Sequence, residues 1–309
     1  ERAFPFKAAA KGLGIAIERA SASREEDKRH ILNFIAGTPD LDAEYPSAHP
    51  AYSQVNITLR ARFAMAMLRK TVEEGQMDMW EQAVEAISLD AKSSEMDFDF
   101  DTCAKLTGPQ LAALAIALPR QLEGLTFHCE RCNMLGDAGL VGLGDAFHRL
   151  GPESRLKQLQ LDFSNCHELH GEGFVRFGEG LCQLSSLRAL CLQFEDLCCG
   201  SAGISAVGQA LPSLAKLNTL RLRFENCDSA ENPLDGECQT IFCDGVGGLR
   251  RLRSLALDFS YCQTARLDGL GLGLRLQARL RTLSLNLDQC KGFADDSLRC
   301  LADGLGQLR

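Results

Sequence analysis

Leu156 to Leu169 reads LKQLQLDFSNCHEL. Within it Leu159, Leu161 and Phe163 alternate with Gln160, Asp162 and Ser164. That period of two predicts a strand with one buried face. Cys166 follows at a bend and Leu169 closes it. A glycine-punctuated stretch comes next, with Phe174, Phe177 and Leu181 at helical spacing.

The same wording returns along the chain. Met96, Phe98 and Phe100 precede Cys103; Leu125, Phe127 and Cys129 precede Cys132. Leu190, Leu192 and Phe194 precede Leu197; Leu220, Leu222 and Phe224 precede Cys227. Leu255, Leu257 and Phe259 precede Cys262; Leu283, Leu285 and Leu287 precede Cys290. The seven matches are spaced by 29, 34, 31, 30, 35 and 28 residues, about 31 on average. A repeat of this length predicts a solenoid. Ile204, Val207 and Leu211, then Leu298, Leu301 and Leu305, repeat the helical spacing. Each unit therefore reads strand, bend, helix, return. Successive strands pair in parallel about 4.8 Å apart, helices cover the back, and the array curves with the sheet inside.

In its apolar strand, its Cys at the bend and its glycine-marked helix, this wording resembles the leucine-rich repeat family. The nearest branch is the helix-backed, ribonuclease-inhibitor-like one, with cysteine at the Asn/Cys position. The resemblance covers about two thirds of the chain. It implies an α/β leucine-rich-repeat solenoid with a curved parallel sheet on the concave side, helices on the convex side, and partner binding on the concave sheet. The longer units, the frequent Phe and Leu197 in place of cysteine depart from the family pattern; Asp228 to Gly236 reads as a longer loop. The Phe-and-Cys repeats are also similar to ones found in single-celled algae.

Residues 1–92 have a different texture and read as an N-terminal helical capping or docking region; residues 93–309 are the solenoid of about seven repeats. The spacing predicts helices over Ala8 to Ala20, Arg29 to Ile35, Ala51 to Lys70 and Met77 to Ile87, the last with Trp80. Ser21 to Lys28 reads as a polar break, and Pro39, Pro46 and Pro50 mark a loop. In the third helix Val55, Leu59, Phe63 and Met67 define one apolar face, with Arg60, Arg62, Arg69 and Lys70 elsewhere. Solenoid ends need such covers. The basic residues leave an amphipathic surface anchor as the alternative use.

Composition bounds the partners. The chain has 309 residues, 45% hydrophobic and 24% charged, with formal net charge -8. An acidic chain is a poor nucleic-acid binder and suits a basic partner. No apolar run of 18 residues exists, so no membrane span is expected, although peripheral association with a membrane complex stays open. Of the 14 cysteines, six fall at the bend position. A small apolar residue with a weak S–H donor suits that turn. Recurring buried thiols point to a reducing intracellular compartment, cytosol or organelle stroma or matrix. The chain begins at Glu1 and closes on Leu305 to Arg309, which matches the lead-in at Leu181 to Leu184. Both ends read as trimmed, with an upstream targeting segment left open.

Candidate chemistry is sparse. Cys129 and Cys132 form a C-x-x-C, but they occupy the inward strand position and the bend column. Cys166, His167 and His170 share a bend without a fourth ligand. Cys198 and Cys199 read as ordinary bend packing. Gly139, Gly142 and Gly144, like Gly269, Gly271 and Gly273, lack the GKS or GKT tail of a phosphate loop. No nucleophile elbow is present. No cofactor or metal is expected.

The outward strand residues are more informative. Among them, Asp97, Asp99, Asp101, Glu130, Asp162, Glu195, Glu225, Asp258 and Asp288 are acidic, and Arg221 and Arg223 basic. Like charges on neighbouring strands repel, so an acidic trough broken by two arginines is expected to receive a basic protein surface. These eleven residues are the candidate site. The expectation is a non-enzymatic protein-protein interaction module, in which reversing Asp99, Asp162 and Asp258 to Lys weakens binding with little effect on stability. The alternative is an accessory structural subunit of a large organellar assembly, photosynthetic or respiratory, docked through its helices. A thiol or metal enzyme is the third reading.

Overall fold

The computed structural model describes residues 6–197, 199–228, 233–293 and 295–307. Cys198, residues 229–232 of the loop expected from Asp228 to Gly236, and Leu308 to Arg309 lie outside them. The chain forms two compact units, Glu1–Ser93 and Ser94–Arg309.

The first unit is helical: α1 (Phe6–Gly12), a 3-10 turn (Ile17–Arg19), α2 (Glu25–Ala36), α3 (Pro50–Glu74) and α4 (Met77–Leu89). Three expectations need correction. The helix expected over Ala8 to Ala20 stops at Gly12, where the Phe63 ring occupies the space a Cβ would fill. The chain beyond is tied to α3 instead: Asn56 Oδ1 accepts the Ile17 N–H at 2.8 Å, and the Arg60 guanidinium donates to the Ile15 carbonyl at 2.8 and 3.0 Å. α2 starts earlier than expected, because Glu25, Glu26 and Asp27 in its first turn favour the positive end of the helix dipole. In α3 the buried positions are Tyr52, Asn56, Ala61, Ala64, Met67, Leu68, Thr71 and Val72, so Val55, Leu59 and Phe63 are only half-buried. α3 packs against α1, α2 and α4, which buries a broad arc rather than a single stripe. Three of its four basic residues are committed too: Arg60 to the Ile15 carbonyl, Arg69 to Glu73 at 2.9 Å and Lys70 to Glu74 at 3.3 Å.

The second unit is a repeat-like α/β array. Seven five-residue strands form one parallel sheet in sequence order: β1 (Glu95–Asp99), β2 (Gly124–His128), β3 (Gln158–Asp162), β4 (Ala189–Gln193), β5 (Thr219–Arg223), β6 (Ser254–Asp258) and β7 (Thr282–Asn286). Helices follow them in turn: α5 (Gly108–Ala117), α6 (Gly136–Leu150), α7 (Gly171–Leu181), α8 (Gly200–Ala210), α9 (Gly236–Gly248), α10 (Leu270–Arg275) and α11 (Asp295–Leu305). The register places Leu125 beside Leu159, Leu190, Leu220, Leu255 and Leu283 across six strands. Inward side chains of β1 to β6 are buried, each worth about 1.5–3 kcal/mol against exposure. Phe163, Phe194, Phe224 and Phe259 stack in a column with centroids 5.3 to 6.4 Å apart, and Phe174 and Phe242 meet it edge-on. β7 and α11 have a neighbour on one side only among the described residues. Leu283, Leu285 and Leu287 are therefore half-buried, and Leu298 and Leu305 exposed.

Two devices lock one unit to the next. Cysteines of the bend column donate their S–H to the preceding unit: Cys132 to Phe100 O (3.1 Å), Cys166 to Cys129 O (2.9 Å), Cys227 to Phe194 O (2.7 Å), Cys262 to Phe224 O (3.0 Å) and Cys290 to Phe259 O (2.9 Å). The residue before each bend position is left-handed: Thr102, Arg131, Asn165, Asp196, Asn226, Tyr261 and Gln289 have φ between 51° and 62°. Six of them turn an N–H onto the next unit, as Asn165 does to Glu195 O at 2.7 Å.

The glycine patterns have a packing cause. A Cβ on Gly144 would strike the Arg176 carbonyl, and one on Gly180 the Gly144 carbonyl. Gly271 and Gly304 stand in the same relation at the other end of the array. Adjacent helices approach backbone to backbone, which no larger residue permits.

Candidate functional site

The outward side chains of β1 to β7 form ordered rows across the sheet. The register aligns Asp97, Thr126, Gln160, Cys191, Arg221, Ala256 and Ser284 in one row. Asp99, His128, Asp162, Gln193, Arg223, Asp258 and Asn286 form the next. The third residue of each outward trio lies past the strand, in the turn. There Asp101, Glu130, Glu195 and Glu225 are half-exposed and Asp288 exposed, whereas Ser164 and Ser260 are 5% and 2% exposed. The eleven candidate residues thus share one face, but only six of them sit on strands.

Many of the carboxylates do structural work. Asp99 Oδ1 accepts the Asp101 N–H (3.1 Å), Asp162 Oδ1 the Ser164 N–H (3.0 Å) and Asp258 Oδ1 the Ser260 N–H (3.0 Å). Asn286 plays the same part toward Asp288 at 3.2 Å. Aspartate at the strand end therefore closes the bend. Reversing Asp99, Asp162 and Asp258 removes three turn acceptors, so that triple change is not neutral for stability. Asp101 Oδ1 also spans units, accepting the Glu130 N–H at 2.9 Å.

The arginines divide. Arg223 pairs with Glu195 at 3.2 Å and lies 3.9 Å from Asp258. Arg221 is exposed, and its side chain has no ion pair or hydrogen bond among the described residues. Glu225 is held above the usual carboxylate range by partial burial and then by Glu195 and Asp258, with Arg223 opposing.

Two depressions of about 360 and 370 Å³ open on this face and meet at Gln160, Cys191 and Arg221. The first is lined by a further outward row that the alternation of the central strand residues passed over: Glu95, Gly124, Gln158, Ala189 and Thr219. Extending the period of two by one step toward each strand start finds it.

Burial holds several of the thiols in the protonated form. Among the described residues the cysteines form no disulfide. Burial drives Cys166, Cys243 and Cys262 up to about 12, and Cys238 and Cys290 up to about 11. Burial first, then the neighbouring Cys132, raises Cys129 well above the ordinary thiol value. No cluster of three or more His, Cys, Asp or Glu side chains suited to a metal occurs among the described residues. At the Cys166 bend the backbone N–H of His170 bonds Asp137 Oδ1 at 2.6 Å. No helix among them is long and apolar enough to cross a membrane.

Comparison with protein-family models and with curated proteins finds no match for this chain.

Proposed function

We propose that this chain is a leucine-rich-repeat protein-binding module without catalytic chemistry, which holds a partner with a basic surface on the outward face of its sheet. One observation carries the reading. Nine carboxylates and two guanidinium groups share the outward face, six of the eleven on the strands and five in the turns that follow them, and like charges are gathered on one surface at a cost to stability. A basic partner surface relieves that repulsion and is steered by it. Protonated, buried thiols support a packing role for cysteine, and with it a reducing compartment. The helical unit then serves as a docking piece.

The test is reversal of carboxylates that close no bend. Asp97→Lys, Glu225→Lys and Asp288→Lys together are expected to abolish retention of the natively co-purifying partner, while the thermal midpoint holds. Unchanged retention rejects the face as the site.

A second reading, an accessory subunit of a larger organellar assembly, is favoured by one feature of the helical unit. Phe34 and Ile31 on α2 are 77% and 55% exposed and lie one turn apart, an apolar surface suited to permanent docking. It predicts stoichiometric co-purification that survives the triple reversal and is lost with Phe34→Glu.

A further inference from the structure

The first depression is charged only at its ends. Glu95 and Asp97 on β1 stand at one side and Arg221 on β5 at the other. Every outward residue between them is uncharged: Gly124, Thr126, Gln158, Gln160, Ala189, Cys191 and Thr219. Four strand steps separate the ends, about 19 Å at the usual interstrand spacing. Glu95 and Arg221 are exposed and free of ion pairs among the described residues. Between them the side-chain amides of Gln158 and Gln160 and the hydroxyl of Thr126 have no hydrogen-bond partner among the described residues. Open amide groups in a shallow floor suit a peptide backbone, which offers both donors and acceptors. An extended chain advances about 3.3 Å per residue, so 19 Å corresponds to about six residues.

We propose that this depression receives an extended partner segment running across the strands, with a Lys or Arg side chain at Glu95 and Asp97 and an Asp or Glu side chain about six residues away at Arg221. The inference rests on the outward face being the partner surface. It adds that the partner is not uniformly basic but carries a spaced pair of opposite charges, and that Arg221 selects the acidic one. The two charge contacts fix where along the sheet the segment lies, and the glutamine amides hold its backbone between them.

Synthetic peptides test it with the full chain by fluorescence anisotropy. One peptide carries Lys and Glu six residues apart on a Gly/Ser/Ala backbone; a second has the same composition with the charges adjacent; a third replaces Glu by Lys. The spaced Lys/Glu peptide is expected to bind at least about tenfold more tightly than the adjacent one, and Arg221→Glu is expected to transfer the preference to the Lys/Lys peptide. Arg221→Gln, which removes charge without adding any, is expected to level the two spaced peptides. Circular dichroism checks that the variants stay folded. If the native chain prefers Lys/Lys, the Arg221 subsite is overturned and the acidic-face reading stands. If spacing makes no difference, or no peptide binds, the depression is not a peptide site; retention of the native partner by the carboxylate reversals then decides the broader reading separately.

Discussion

The Sγ of Cys166 donates a hydrogen bond to the carbonyl oxygen of Cys129, 2.9 Å away in the preceding unit. Four further cysteines repeat this bond along the array. A column of thiols that resembles redox equipment is a stitch between stacked turns. Cysteine fits because it is small enough for the bend, apolar enough to be buried, and still a donor.

Loss of one stitch is measurable. Cys262→Ala leaves the Phe224 carbonyl without its thiol donor and opens a small void at a fully buried site. A destabilisation of about 1–3 kcal/mol is expected in urea unfolding. Cys300→Ala, at a half-buried position, is expected to cost less.

The thiols also set a pH response. A folded-state pKa of about 11 to 12 at Cys166, Cys238, Cys243, Cys262 and Cys290 lies above the unfolded value of about 8.5. The folded chain therefore binds protons more tightly, and its advantage is complete below the unfolded value. Stability is expected to fall as pH rises from about 9 toward 12. Thermal melts across that range, repeated on a variant with Cys166, Cys243 and Cys262 replaced by Ala, should show a shallower decline in the variant. The native thiols should also react with Ellman's reagent only slowly until denaturant is added.

Helix spacing makes a paired prediction. Gly144→Ala drives a methyl group into the Arg176 carbonyl and is expected to cost about 1–3 kcal/mol. Gly236→Ala, at the start of α9 with nothing within 4 Å of the new methyl, is expected to be neutral or stabilising by up to about 1 kcal/mol. Differential scanning calorimetry separates the two.

The bend aspartates separate charge from turn closure. Asp162→Asn keeps an oxygen acceptor for the Ser164 N–H and should melt near the native temperature. Asp162→Lys removes the acceptor and should lower stability by about 1 kcal/mol. Equal melting temperatures would show that the turn does not need the side chain.

The period of two in Leu159, Leu161 and Phe163 was enough to place all seven strands, because burial on one face writes itself directly into sequence. The left-handed residues were not legible. Thr102, Arg131 and Tyr261 are not turn formers, yet each is left-handed at the bend, as is Gln289, which sends no N–H to a following repeat among the described residues; the conformation belongs to the bend and the residue types carry no signal for it. The same limit applies at Gly12, where a residue 51 positions away occupies the space. At the candidate site the charges of Asp99, Asp162 and Asp258 could be read, but not their hydrogen bonds to the bends. Those bonds assign the same residues to the scaffold as well as to the surface.

Carboxylate footprinting of the natively purified complex tests the central claim most directly. Free and partner-bound protein are labelled with a carbodiimide and an amine, and modified residues are located by mass spectrometry. Protection is predicted at Asp97, Glu225 and Asp288, with Glu25, Glu26 and Glu81 of the helical unit labelled equally in both states. Equal labelling of the sheet carboxylates, with protection confined to the helical unit, would contradict the account.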